Sequence, residues 1–179
     1  MKTTRYIALL RGINVGGNNI IKMTDLKAAF EEIGFTAVST YIQSGNVLFS
    51  TQEQNKQTIE AKIEEHLSKR FDYKSRVVLI STEHLHRIVT SAPETFGTEP
   101  EEYKYNVFFL KEPLTAEKAL ESIHTKEEVD RIYTGEGVLY LSQLKSKASQ
   151  SELTKIIGTP IYKEITIRNW NTTTKLLER

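Results

Sequence analysis

The sequence predicts an α+β protein made of two tandem ferredoxin-like halves with antiparallel sheets, each in the order β-α-β-β-α-β, followed by a C-terminal helix. Three observations lead to this prediction. Strand-like and helix-like segments follow that order in the first half. The stretch IYTGEGVLYLS in the second half resembles YIQSGNVLFS in the first. The length of 179 residues suits two small domains.

The strands of the first half are short apolar or β-branched runs that stop at glycine or polar residues. They are predicted at Arg5–Arg11, Thr36–Gln43, Val47–Ser50 and Ser75–Ser81. The second and third strands are joined by a tight turn with the sequence Ser-Gly-Asn, which predicts a β-hairpin.

The helices of the first half are predicted from apolar residues at helical spacing. Thr24 is expected to cap the first helix, and Gly34 to end it in a Schellman motif, with Phe35 folding back onto the helix. The second helix carries an apolar stripe from Ile59 to Phe71. A short third helix is expected after Thr82 as its cap.

The second half repeats the pattern. Its elements are predicted at Lys104–Leu110, Thr115–Ile123, Val129–Tyr133, Val138–Ser142, a short helix capped by Ser151, Tyr162–Arg168, and a final helix from Asn169 or Asn171. The prolines and acids before this half predict a linker over residues 93–102, between domains at 1–92 and 103–179.

Composition narrows the classes of function. Hydrophobic residues make up 39% and charged residues 26%, with a net charge of +1. These values are ordinary for a soluble globular protein, and they disfavour nucleic-acid binding driven by bulk charge. The absence of cysteine excludes disulfides and thiolate chemistry and fits a cytoplasmic location. We expect no metal site, no cofactor and no membrane contact, while the oligomeric state stays open.

The predicted topology brings two polar bends together. The third strand is expected between the first and second, and right-handed crossovers make the first and second strands parallel. Both strands therefore end on one side of the sheet, where the loop after Arg11 meets the turn before Val47. The candidate ligand-binding residues lie at this corner and in a segment near the C-terminus. They are Arg11, Gly12, Asn14, Gly16, Gly17, Lys22, Ser44, Gly45, Asn46, Arg168, Asn169, Trp170, Asn171 and Lys175.

Each candidate also has a structural interpretation. The glycine loop either binds an anion through backbone N–H groups near a helix N-terminus or simply connects strand to helix. Arg11 and Arg168 either hold a carboxylate or phosphate or pair with an internal acid. Trp170 either contacts a ligand ring or anchors the last helix to the core. No catalytic residue is identified.

Several motifs carry a family resemblance. ALLRGINVGG, YIQSGNVLF and RNWNTTTK, in this order, resemble the family called domain of unknown function 1697. The resemblance implies ferredoxin-like halves and a small bacterial-type cytoplasmic protein, with no established activity. Many members have lysine where this chain has Asn18, so Lys22 supplies a cation to the loop only if the loop folds back.

Four classes of function remain open, the last of which is a purely structural or oligomeric role. The first is a module that binds a small anionic, phosphate-type ligand at the corner, closed by the segment from Arg168 to Lys175. The second is RNA or single-stranded nucleic-acid binding, as in sheets of the RRM type. The third is an enzyme of unrecognised mechanism that uses the same cleft.

Overall fold

The computed structural model describes residues 2–179. The chain forms two compact units, Met1–Leu85 with Arg179, and His86–Glu178. The domain boundaries predicted from the linker composition stay a prediction. No helix among the described residues is both long enough and apolar enough to cross a bilayer.

The first unit has the elements β1 (Thr4–Leu10), α1 (Met23–Glu32), β2 (Thr36–Tyr41), β3 (Asn46–Thr51), α2 (Lys56–Phe71) and β4 (Val77–Ser81). Its sheet has the order β2-β3-β1-β4, and each neighbouring pair is antiparallel. The third strand therefore lies between the first and second, as predicted. Helix α3 (Thr82–Thr90) follows β4 directly.

The remaining elements are β5 (Tyr103–Leu110), α4 (Ala116–Leu120), β6 (Asp130–Gly135), β7 (Val138–Leu144), β8 (Ile165–Asn169) and α5 (Trp170–Lys175). Between β7 and β8 the chain makes three 3-10 turns, Lys145–Gln150, Leu153–Gly158 and Pro160–Glu164, and a fourth, Leu176–Glu178, follows α5. The second sheet repeats the antiparallel order as β6-β7-β5-β8. The predicted fold class is confirmed.

Helix α1 ends in the predicted Schellman motif. The Gly34 N–H donates to the Glu31 carbonyl at 3.0 Å, and the Phe35 N–H donates to the Phe30 carbonyl at 3.3 Å. The rings of Phe30 and Phe35 lie 6.0 Å apart, so the hydrophobic contact of the motif is present.

Two of three predicted caps are wrong. Helix α1 begins at Met23 after Lys22, so Thr24 lies inside it. Ser81 caps α3 instead of Thr82, because its Oγ accepts the third N–H of that helix at 3.0 Å. Ser151 lies one residue before the N-cap position of a 3-10 turn, but its Oγ accepts the Leu153 N–H at 3.3 Å, the first of that turn, and its hydroxyl donates to the buried carboxylate of Asp130. Hydroxyl residues next to a helix start compete for one position, and sequence spacing alone does not decide which wins.

Two predicted elements of the second half are shorter than expected. The segment predicted as a strand from Tyr162 becomes a strand only at Ile165, because Pro160 begins a 3-10 turn that runs to Glu164. The predicted helix Thr115–Ile123 is limited to Ala116–Leu120. The second unit therefore has less helix over its sheet than the first.

The outer edge of β4 is closed by side chains of α2. Glu60 accepts the Leu79 N–H and Glu64 accepts the Val77 N–H, both at 2.9 Å. Glu60 is 7% exposed, so its carboxylate is part of the packed structure. An edge strand whose outward N–H groups are already occupied is a poor template for pairing with another chain.

Candidate functional site

The two predicted bends of the first unit meet at one rim of its sheet. The Leu10 N–H, at the end of β1, donates to the Gly45 carbonyl at 2.8 Å. The side-chain amide of Asn14, in the glycine loop, donates to the Gln43 carbonyl at 2.8 Å. The structure therefore agrees with the meeting of these two segments that the strand order predicts.

The glycine loop folds back on itself around Asn14. The side chain of Asn14 accepts the Ile21 N–H at 2.8 Å and donates to the Ile21 carbonyl at 3.1 Å, and Asn19 donates to the Gly12 carbonyl at 2.8 Å. This geometry brings Lys22 next to the base of the loop, with its side chain exposed. Arg11, at the root of the loop, is half-buried.

The tip of the loop carries exposed backbone donors. Gly16 and Gly17 are exposed. Their N–H groups donate to no acceptor within residues 2–179. The apolar side chains of Val15 and Ile20, in the same loop, are also exposed, by 65% and 76%.

The Ser44–Asn46 turn is used internally. The Asn46 side chain is fully buried and donates to the Tyr41 carbonyl at 2.9 Å and to the Ser44 hydroxyl at 3.0 Å. Gly45 is packed so closely that an added Cβ would lie 2.7 Å from Cδ1 of Ile13. The turn therefore shapes the corner through packing, and the exposed donors come from the loop.

A cleft of about 400 Å³ lies in the second unit at the start of β5 and α5. Three of the candidate residues, Asn169, Trp170 and Asn171, line it together with Gly97, Pro100, Tyr103, Lys104, Tyr105, Lys145 and Thr174. The predicted segment near the C-terminus is therefore part of a concave surface within its own unit.

Trp170 is both an anchor and a lining residue. Its ring packs edge-on against the buried ring of Phe96, with the centroids 5.1 Å apart. Gly97 has φ +86°, and a Cβ there would lie 2.3 Å from Nε1 of Trp170. The indole is held by these neighbours on one side and borders the cleft on the other.

The residues on either side of Trp170 form the start of helix α5. Asn169 is its N-cap and accepts the Thr172 N–H at 2.7 Å. The side-chain amide of Asn171 is exposed and makes no hydrogen bond to the described residues. Its donors are therefore available at the mouth of the cleft.

The two remaining candidate cations of the second unit are not among the residues that line the cleft. Arg168 is 8% exposed and donates through Nη1 to the Ile167 carbonyl at 2.9 Å. Burial lowers the pKa of its guanidinium to about 10, so it remains positively charged at neutral pH. Lys175 is exposed in the last turn of α5.

Sequence analysis missed several lining residues. Tyr103 and Tyr105 alternate on one face of β5, a period-2 signal that was available in the sequence. Phe96 and Gly97 lie in the stretch predicted as a linker, yet Phe96 is 7% exposed and contacts three aromatic rings. The signal available in the sequence was a large aromatic residue within a proline-rich, acidic stretch, where an apolar side chain is unexpected unless it packs onto a core.

Comparisons with known proteins support the family and the fold. The family described as protein of unknown function (DUF1697) matches residues 3–140. The solved structure of the conserved bacterial protein SP0830 from Streptococcus pneumoniae is similar, with a TM-score of 0.85 and 26% sequence identity. The similarity covers 99% of this chain and 98% of that chain. No curated protein matches the sequence.

Proposed function

The chain belongs to the DUF1697 family, whose description assigns no function, and we propose from its geometry that it is a binding module for a small phosphorylated molecule that carries a planar ring. The cleft beside Trp170 is the principal site. The observation that carries this proposal is the lining of that cleft, which combines three aromatic side chains with the amine of Lys145 and the amide of Asn171.

The aromatic residues supply flat apolar surface for a ring. Tyr103, Tyr105 and Trp170 are half-buried, so part of each side chain remains accessible. The cleft of about 400 Å³ falls within the size range of small-ligand sites. Stacking of a base on such a side chain contributes roughly 1–3 kcal/mol.

The polar residues supply donors and positive charge. The Asn171 amide is exposed, and Nζ of Lys145 donates to the Pro100 carbonyl at 2.6 Å. No Asp or Glu is among the described residues that line the cleft. The acidic side chains of Glu101 and Glu102 are exposed nearby in the chain and reduce the positive potential there. A ligand with one phosphate suits this balance better than a polyanion.

The glycine loop of the first unit is the second candidate site. Gly16 and Gly17 offer backbone donors, and α1 begins directly after Lys22. Anions are favoured near such a helix start. Backbone donors of this kind recognise a phosphate group and not the rest of a ligand.

The chain's single tryptophan makes the proposal directly testable. AMP, ribose 5-phosphate and inorganic phosphate are titrated while the fluorescence of Trp170 is followed. We expect AMP to quench the fluorescence and to bind at least about fivefold more tightly than ribose 5-phosphate, because only AMP can stack a base.

Two matched charge variants separate the sites. Asn171→Asp places a negative charge in the cleft, in the first turn of a helix where an acid is tolerated. Asn18→Asp makes the same change at the tip of the glycine loop. We expect Asn171→Asp to weaken AMP binding by about fivefold or more and Asn18→Asp to leave it unchanged, since an exposed charge contact is worth about 1 kcal/mol.

The outcomes distinguish the alternatives. Loss of phosphate binding in Asn18→Asp alone would move the site to the glycine loop. The two tyrosines on β5 also favour nucleic-acid binding as a second function, since RRM-type sheets stack bases on strand aromatics. Quenching by a single-stranded oligonucleotide at far lower concentration than by AMP would favour that function. No quenching and no thermal stabilisation by any of these probes would refute both.

A further inference from the structure

The helix-covered face of the second sheet contains a separate apolar groove. Its floor is formed by alternate residues of β5, Asn106 and Phe108, together with Ile167 of β8. These side chains share one face because strand residues alternate in direction. The far wall is made by Leu153, Thr154, Ile156, Ile157 and Tyr162. The groove has a volume of about 210 Å³.

The groove exists because the second unit lacks a long helix at this place. In the first unit, the connection between the third and fourth strands contains α2, which spans Lys56–Phe71 and buries Ile59, Ile63 and Leu67. In the second unit, the same connection makes only 3-10 turns, of which Leu153–Gly158 covers part of the sheet. Ile156 is 2% exposed, but the next residue, Ile157, is 58% exposed on the lip of the groove.

The open end of the groove carries donors and one positive charge. Lys104 and Gln143 lie opposite each other on β5 and β7 and line this end together with Asn106. Their side chains make no hydrogen bond within the described part of the chain. Two acids lie near this end: Glu152 is paired with Lys155 at 2.9 Å, and the buried Asp130, opposite Gln143 on β6, accepts the Ser151 hydroxyl at 2.7 Å. Among the described residues that line the groove, Lys104 is the charged one.

We propose that this groove binds a small amphiphile, namely a short aliphatic carboxylate, with its chain against Phe108, Ile156 and Ile167 and its carboxylate near Lys104. A cavity of about 150 Å³ is enough to hold benzene, so the groove fits one ring or a chain of about six carbons. The positive charge at the open end selects an acid over an alcohol or an amine. This site is distinct from the cleft beside Trp170, because the side chain of Lys104 lies on one face of β5 and those of Tyr103 and Tyr105 lie on the other.

The proposal is tested by NMR of the full chain with isotope-labelled isoleucine methyl groups. The probes are hexanoate, hexan-1-ol, hexylamine and acetate. We expect hexanoate to shift the methyl signals of Ile156, Ile157 and Ile167 in a saturable manner and to leave Ile59, in the core of the first unit, unchanged. Acetate, which lacks the apolar chain, should give no saturable shift.

Two variants test the two halves of the proposed contact. Lys104→Gln should weaken hexanoate about fivefold while changing hexan-1-ol less than twofold, as expected for loss of one exposed charge contact. Ile157→Ser, on the exposed lip, should weaken both hexanoate and hexan-1-ol. Asn171→Asp, in the cleft beside Trp170, should change the binding of neither hexanoate nor hexan-1-ol.

Other results would overturn the proposal. They are equal binding of hexanoate and hexylamine, shifts spread over isoleucines of both units, or no saturable shift with hexanoate at all. Methyl shifts at Ile157 that depend on protein concentration without any probe, together with a higher mass by light scattering, would assign the groove to a second copy of the chain instead. Because the AMP titration uses another cleft, its failure and the failure of this experiment are independent.

Discussion

The contact between Gly97 and Trp170 gives the sharpest test of the described packing. In Gly97→Ala, the new Cβ would lie 2.3 Å from Nε1 and 2.4 Å from Cδ1 of the indole, so the ring must move. Holding alanine in a left-handed conformation costs about 1–2 kcal/mol. Overpacking at a well-packed contact costs about 1–3 kcal/mol more. The expected loss in the free energy of unfolding is therefore roughly 2–5 kcal/mol.

Urea denaturation followed by far-UV circular dichroism measures this loss. Gly17→Ala is the matched control, because Gly17 has φ +78° and nothing within 4 Å of its added Cβ. It should show only the conformational cost of about 1–2 kcal/mol. A double-mutant cycle with Trp170→Ala then isolates the steric part, since removing the indole should recover about 1–3 kcal/mol. Equal losses in the two alanine variants, or strict additivity in the cycle, would refute the proposed contact.

Three further predictions concern buried and paired groups. Glu60→Ala should destabilise the chain by about 1–3 kcal/mol in urea denaturation, whereas Glu60→Gln, which keeps an acceptor for the β4 N–H, should cost less. The pKa of Glu32 is lowered, chiefly by a hydrogen bond from Arg70, so this carboxylate stabilises the fold above its ordinary pKa and the contribution is lost as the pH falls through the lowered value. Glu32→Gln should therefore flatten the fall of Tm below about pH 5. Burial raises the pKa of Tyr140 to about 12, so stability is lost as the pH rises from about 10 to 12, and Tyr140→Phe should reduce that loss in an alkaline Tm series.

Sequence reasoning worked best where one short pattern has one structural solution. Gly34 followed by Phe35 predicted the Schellman ending, because a left-handed residue and an apolar neighbour are what that motif requires. The strand order followed from the alternation of elements and from chain handedness. The meeting of the Asn14 loop with the turn at Gly45 followed from that order without any knowledge of side chains.

The cleft in the second unit could not be derived in the same way. It depends on Phe96 contacting Trp170, and these residues are far apart in sequence and have no pattern that links them. The strand predicted from Tyr162 failed because alternating polarity also fits a 3-10 turn started by a proline. Contacts across a fold and choices between short elements depend on packing, which local sequence does not contain.

The replacement of a long helix by short turns in the second unit has a consequence for how the chain can vary. Helix α2 (Lys56–Phe71) packs an apolar residue against the sheet at every third or fourth position. A single inserted residue would therefore rotate part of this apolar stripe away from the sheet. The turns between β7 and β8 pack fewer residues against the sheet, and they contain no helical periodicity that an insertion would disrupt. A one-residue insertion in an exposed part of the first turn, Lys145–Gln150, should therefore cost less stability than the same insertion in the middle of α2.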